Sequence, residues 1–258
     1  MSYIEAAILG IIQGLTEYLP VSSSGHLVLA QEIMGVNPEG ITLEIVVHIG
    51  SLLAVTIYYR RRLGELLKSF FTGENPSARK YAGYLIIGTV PAAVIGLSLE
   101  DFFDSMFASP HFTSIFLIGT GVILLSTRFV SYGTNEVSLK TALIIGMAQA
   151  CAILPGISRS GSTISAGLWS KVDPAKAAEF SFLLSIPAIG GATVLKFSDL
   201  VRESSALGGP YLLAGIFSLI FSLAAIHWLL AIIKKGRFEL FGYYCFAAGA
   251  LGLYLFSK

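Results

Sequence analysis

Leu154-Pro155-Gly156-Ile157-Ser158-Arg159-Ser160-Gly161-Ser162-Thr163 sets one arginine among hydroxyls and glycines, inside a chain that is 54% hydrophobic. It has an echo 136 residues earlier, in Leu19-Pro20-Val21-Ser22-Ser23-Ser24-Gly25-His26. Irregular polar backbone of this kind survives at membrane depth only where protein or a water-filled cavity surrounds it. The two loops therefore read as halves of one functional site, and the fold must bring them together.

The surrounding composition says what that fold is made of. Charged residues are 13% of the 258, about half of the roughly 25% usual in soluble domains, and mean hydropathy is +0.75. The apolar residues fall in blocks of about 20, the length of a bilayer span. The chain reads as a polytopic, all-α integral membrane protein. A net charge of +1 suggests no nucleic-acid partner. Cys151 and Cys245 lie in apolar stretches and are expected to behave as small hydrophobes; two cysteines make no disulfide framework. The N-terminus lacks a basic region and a small-residue cleavage site, so its first apolar stretch is expected to be retained.

Hydropathy places six spans at about 41–59, 82–99, 112–130, 174–196, 210–233 and 239–257. Segments 3–34 and 140–170 are apolar but interrupted by the two polar loops, and read as re-entrant helix–loop–helix hairpins rather than kinked spans. Lys and Arg crowd the 60–80 loop, the flanks of the second hairpin and the short loop at Lys234, Lys235 and Arg237. The 100–111 loop is acidic, with Glu100, Asp101 and Asp104, and 197–209 carries only Arg202, with Lys196 at its edge. Six spans with two non-crossing hairpins put every basic cluster on the cytoplasmic face and both termini outside.

The echo extends beyond the loops. Ala6, Ile8, Gly10, Gln13, Ser22, Ser24, Gly25 and Ala30 match Ala142, Ile144, Gly146, Gln149, Ser158, Ser160, Gly161 and Ala166 without a gap. Glu44 and Glu179 follow at nearly the same offset. Each half, 1–130 and 131–258, is then one hairpin plus three spans within a single membrane domain. An odd number of spans inverts the second copy, so the hairpins enter from opposite faces and their tips meet. Such interlocking inverted-topology repeats place a site at the repeat interface.

An ionisable group at membrane depth is a functional suspect, because inserting it costs roughly 2.5–3.5 kcal/mol. Arg159 is the strongest: its guanidinium forks onto phosphate oxygens and stays charged in any environment. Ser158, Ser160, Gly161 and Thr163 surround it, and the N–H groups that start the next helix favour an anion. The bland reading is an ion pair with Glu17 or Glu44. In the first loop Gln13 and Glu17, four apart, share a helix face. Glu17 can hold a divalent cation or orient a catalytic group. Gln13, Ser22, Ser24 and Gly25 would line the bound anion. His26 titrates near neutrality and suits a nucleophile or general acid–base; Ser23 competes as nucleophile if a base takes its proton. Glu44 and His48, one turn apart in the next helix, read equally as standing behind these groups or as packing with a hydrogen bond. Glu179 has Lys176 at i−3 and reads equally as a structural ion pair. His-Glu-x-x-His and paired Cys-x-x-Cys spacings are absent, which argues against a zinc site.

Gln13-Gly14-Leu15-Thr16-Glu17-Tyr18-Leu19-Pro20-Val21-Ser22-Ser23-Ser24-Gly25-His26 resembles the first signature of the bacterial undecaprenyl-diphosphate phosphatases of the bacitracin-resistance type. Pro155-Gly156-Ile157-Ser158-Arg159-Ser160-Gly161-Ser162-Thr163 resembles their second, and the likeness runs over essentially the whole chain. Gln13 stands where many relatives carry glutamate, and Ser24 where threonine is common. The resemblance implies hydrolysis of the terminal phosphate of a C55 isoprenyl diphosphate, a polyprenyl lipid substrate drawn from the bilayer of the bacterial cell membrane. It implies a role in recycling the lipid carrier for peptidoglycan, dependence on a divalent cation (Mg or Ca), a site open to the outer face, and a homodimer. Glu17, Ser23, His26 and Arg159 would be the essential set. A lipid transporter or flippase on the same inverted repeat is the competing reading. The divergence of the halves, with Ser23 opposite Arg159 and His26 opposite Ser162, favours an enzyme.

Overall fold

The computed structural model describes residues 1–36, 41–107, 109–196 and 208–256. Among them all regular structure is helical, apart from an isolated bridge between Asn135 and Val172. The helices are α1 (Tyr3–Tyr18), α2 (Ser23–Met34), α3 (Thr42–Tyr58), α4 (Arg60–Thr72), α5 (Pro76–Ser98) and α6 (Glu100–Phe107). There follow α7 (Pro110–Ser126) with a 3-10 turn Thr127–Phe129, α8 (Leu139–Cys151), α9 (Arg159–Trp169), α10 (Pro174–Leu195), α11 (Gly209–Lys234) and α12 (Leu240–Phe256).

Local chemistry sets most of these boundaries. Ser2 and Glu5 close a reciprocal capping box at the start of α1. Asn75, Ser109 and Asp173 cap α5, α7 and α10, each followed by a proline whose missing N–H costs nothing there. Among the described residues four helices are long and apolar enough to cross a membrane: α5, α7 with its 3-10 turn, α10 and α11. A fifth is added if α3 and α4, bent by 79° at Tyr59, count as one broken span. α8 and α12 are apolar but shorter.

Two expected loops turn out to be helical. Most of 60–80 is α4, whose residues divide three ways around its axis. Leu66 and Ser69 face the protein, Leu67 and Phe71 are exposed apolar side chains, and Arg61, Glu65 and Lys68 form an exposed polar stripe. Counting charge hid this apolar third. The acidic 100–111 segment is largely α6. Arg202, used to judge the polarity of 197–209, lies outside the described residues, as do 197–207 in general.

Helix association inside a bilayer gains little from the hydrophobic effect and depends on close packing of small residues. Accordingly α5 leaves Ile86, Val90, Val94 and Leu97 exposed in one stripe, while its Gly88 meets α8. The packing of the two broken segments is reciprocal. α1 lies against α11, with Gly10 under the Ala214 backbone; α8 lies against α5, with Gly146 under the Gly88 backbone. At either glycine a Cβ would collide with main chain. α3 also packs on α11, α10 on α5, and α7 on α12. Between these layers the tips of the α1–α2 and α8–α9 hairpins touch: a Cβ on Gly25 would lie 3.1 Å from Gly156 Cα, and Ser160 Oγ donates to Leu19 O at 3.0 Å. Tyr18 and Phe182 meet edge to face at 5.3 Å beneath them, in the core that also holds Ile164, Leu229 and Phe238.

Candidate active site

The Ser-x-Ser-Gly repeated in both loops is a helix-starting device. Ser22 Oγ accepts from Gly25 N at 3.3 Å and begins α2; Ser158 Oγ accepts from Gly161 N at 3.0 Å and begins α9. The serine two residues past the cap leans on it in each case, Ser22 Oγ to Ser24 Oγ at 3.4 Å and Ser158 Oγ to Ser160 Oγ at 3.3 Å. Thr120 of α7 fixes the second loop: its Oγ1 donates to Gly156 O at 2.7 Å and accepts from Ser158 N at 2.9 Å. Gly156 has φ 96, where a side chain would be strained. Ser22, with φ 69, carries that strain as a serine. The residue after each cap occupies the first helical position, where partial positive charge gathers. Those residues are Ser23 and Arg159.

Glu17, near the end of α1, joins them. Arg159 Nη2 donates to Glu17 Oε1 at 2.5 Å, and Ser23 Oγ donates to Glu17 Oε2 at 2.6 Å. Gln13 Nε2, one turn earlier, donates to the same Oε2 at 2.9 Å. His48 Nε2 stands 3.8 Å from that oxygen. His48 Nδ1 must donate to the Glu44 carbonyl, 2.7 Å away, which aims Nε2 at Glu17. Arg159 is steadied by Nη1 donating to Ser181 O at 3.3 Å and by the Tyr18 ring, 5.9 Å from the guanidinium carbon. The Glu17 side chain is 6% exposed and that of Arg159 15%, so neither charge is neutralised by water alone.

These groups face a cavity of about 490 Å³. Its polar lining includes Glu17, Ser22, Ser23, Ser24, Glu44, His48, Gln149, Ser158 and Arg159, with Thr16, Thr89 and Thr193. The walls are apolar: Ala92, Ala93, Gly96 and Leu97 of α5 on one side, Ala188, Ile189 and Ala192 of α10 on the other. Glu100 and Lys196, just past the C-terminal ends of α5 and α10, also line it. A polar head with an apolar tail fits such a lining.

His26 does not join this group. Its Nδ1 donates to Ser22 O at 2.8 Å, its Nε2 meets Tyr244 OH at 2.7 Å, and its ring stacks on Tyr244. His26 falls one turn past the cap, on the side of α2 that faces α12 rather than the cavity lining. The imidazole that does stand at this group is His48, from a different helix, 3.8 Å from Glu17 Oε2. Gln13, Gly25, Ser160, Gly161 and Thr163 also lie outside the lining. Gln13 acts on Glu17, the glycines allow the tips to touch, and Thr163 Oγ1 ties α9 to Ser181 Oγ of α10 at 2.6 Å. Glu179 pairs with Arg62 at 3.1 Å, while Lys176 pairs with Glu136, so the i−3 pairing does not form. Sequence reading passed over Gln149 as a site residue, although its match to Gln13 was a usable signal.

A divalent cation has little to hold it. Among the described residues no three His, Cys, Asp or Glu side chains converge. Both oxygens of Glu17 are already engaged by Arg159, Ser23 and Gln13. This donor set does not fit a resident metal site.

Apolar helices enclosing an ion pair and a polar-headed cavity define a class: a helical membrane protein with a polar site set between apolar walls. Residues 6–251 match the family model described as Bacitracin resistance protein BacA, and the chain belongs to that family of multi-pass membrane proteins. An undecaprenyl-diphosphatase of Korarchaeum cryptofilum is 44% identical, covering 96% of this chain and 97% of its own length. Another from Salinibacter ruber is 39% identical over 99% of this chain and 100% of its own. Undecaprenyl-diphosphatase 4 of Bacillus thuringiensis subsp. konkukian is 41% identical over 99% and 98%.

Proposed function

We propose that this protein is an undecaprenyl-diphosphatase, removing the terminal phosphate of C55 isoprenyl diphosphate. The products are the monophosphate carrier, returned to cell-wall synthesis, and inorganic phosphate; bacitracin resistance follows from the same reaction. The observation that carries this reading is one carboxylate, Glu17, bridging a serine hydroxyl and an arginine at a polar-headed, apolar-walled cavity. The names of the relatives do not support the flippase alternative.

On this reading the diphosphate competes with Glu17 for Arg159. Transfer of the guanidinium to phosphate oxygens leaves Glu17 a stronger base, poised on the Ser23 hydroxyl. Ser23 Oγ attacks the terminal phosphorus, its proton passes to Glu17 Oε2, and the bond to the bridging oxygen breaks, releasing the lipid monophosphate. Water then attacks the phosphoserine as Glu17 hands its proton back to the departing Ser23 oxygen; dihydrogen phosphate leaves, and Glu17 is again a carboxylate. Arg159 and the N-termini of α2 and α9 stabilise charge on the equatorial oxygens, which is most of what phosphoryl transfer requires. His26 acts through the Ser22 carbonyl rather than on phosphorus. The C55 chain lies between α5 and α10.

The membrane arrangement belongs to the same proposal: six spans, two re-entrant hairpins and two inverted repeats, 1–130 and 131–258. The exchange of partners between α1–α11 and α8–α5, with matching Gly10 and Gly146 at the crossings, supports it. The basic α4 marks the cytoplasmic face, with both termini outside. The cavity, lined toward Glu100 and Lys196, opens on the outer face. Purified protein in detergent is expected to release phosphate from C55 diphosphate. Movement of the lipid across vesicles without phosphate release would establish the flippase instead.

A further inference from the structure

Gln149 is 4% exposed, and both polar atoms of its amide lack a hydrogen-bond partner. Since Nε2 and Oε1 are both orphaned, turning the amide over changes nothing. Among the described residues it is the one side chain with such orphaned atoms that also lines the cavity. Leaving a buried amide unsatisfied is costly, so a partner from outside the chain is the natural reason to keep it.

Comparison with the other hairpin says what that partner is. Gln13 holds the equivalent place in α1 and gives its Nε2 to Glu17, four residues on. Four residues after Gln149 comes Ile153, which also lines the cavity and offers no acceptor. The acidic partner present in the first half is missing from the second. We propose that a phosphate of the substrate takes its place, so that the Gln149 amide binds the phosphate that remains on the lipid. Ser23 and Arg159 engage the terminal phosphoryl group; Gln149 lines the same cavity with Ile153 and Ile157, whose apolar side chains suit the tail side of the head. The two N–H bonds of Nε2 donate to phosphate oxygens and Oε1 accepts from water carried in with the head, which makes Gln149 a residue that reads a diphosphate head. The inference rests on the phosphatase reading above.

The test uses the full-length protein with C55 diphosphate, comparing wild type with Gln149→Met, which keeps length without hydrogen bonds, and Gln149→Glu, which adds charge. Loss of a hydrogen bond to a charged group predicts a KM raised roughly tenfold or more in Gln149→Met, and further in Gln149→Glu. Inhibition by C55 monophosphate should weaken in parallel, inhibition by inorganic phosphate should not change, and the Gln149→Met melting temperature should hold or rise. An unchanged KM, or weakened inhibition by inorganic phosphate alone, overturns the assignment. Should one variant not fold, the same criteria apply to the other. Wild type that turns over while Gln149→Met matches it defeats this inference only. Wild type that releases no phosphate defeats the phosphatase reading as well.

Discussion

The two hairpins share a scaffold and differ in chemistry. In both, a serine caps the second helix, the serine two residues on leans on that cap, and a glycine lets the tip press against the other hairpin. The residue placed after the cap is Ser23 in one and Arg159 in the other, and the residue four past the buried glutamine is Glu17 in one and Ile153 in the other. What is common to the hairpins builds two opposed helix N-termini. What differs divides the labour: the first carries hydroxyl and carboxylate, the second a fixed positive charge and a vacant amide. A symmetrical frame thus produces an asymmetrical pocket, as a reaction with distinct attacking and leaving oxygens requires.

The sharpest way to break this division is to remove the cation. Arg159→Ala is expected to lower phosphate release by about 10³-fold, with circular dichroism showing a retained helical fold; near-normal turnover would place the anion elsewhere. Glu17→Gln comes next. It keeps the shape but not the base, so kcat should fall by about 10²-fold while Ser23 remains in place. The shared scaffold is probed by Gly10→Val and Gly146→Val, which force the same backbone clash at equivalent crossings. Each should lose about 1–3 kcal/mol of stability, and the two melting temperatures should drop together; an effect at one site alone would weaken the repeat. Smallest are the caps: Ser22→Ala and Ser158→Ala should each cost about 1 kcal/mol, read as a lower midpoint of thermal unfolding.

Much of this was legible in the sequence, for identifiable reasons. The polar loops stood out because backbone polarity is costly in an apolar chain, and Ser-x-Ser-Gly marked both helix starts. The Arg159–Glu17 contact was within reach, since a buried charge needs a counter-ion and few were on offer. The placement of His26 was not. Its position one turn past the cap leaves the direction of the ring to the packing of α2 against α12, and Tyr244, 218 residues away, cannot be paired with it from spacing. His48 was on view as a partner of Glu44, but its approach to Glu17 depends on how α3 packs, which periodicity does not encode; Gln149 was marked only by its match to Gln13. α4 was missed because its basic residues look like a loop until its apolar third is counted separately.

The account stands or falls on Ser23 as the atom that receives the phosphate. Rapid acid quenching of the protein with labelled C55 diphosphate, followed by peptide mass spectrometry, should find an acid-stable phosphate on Ser23, absent in Ser23→Ala. An acid-labile phosphate on His26, or undiminished turnover by Ser23→Ala, would contradict it.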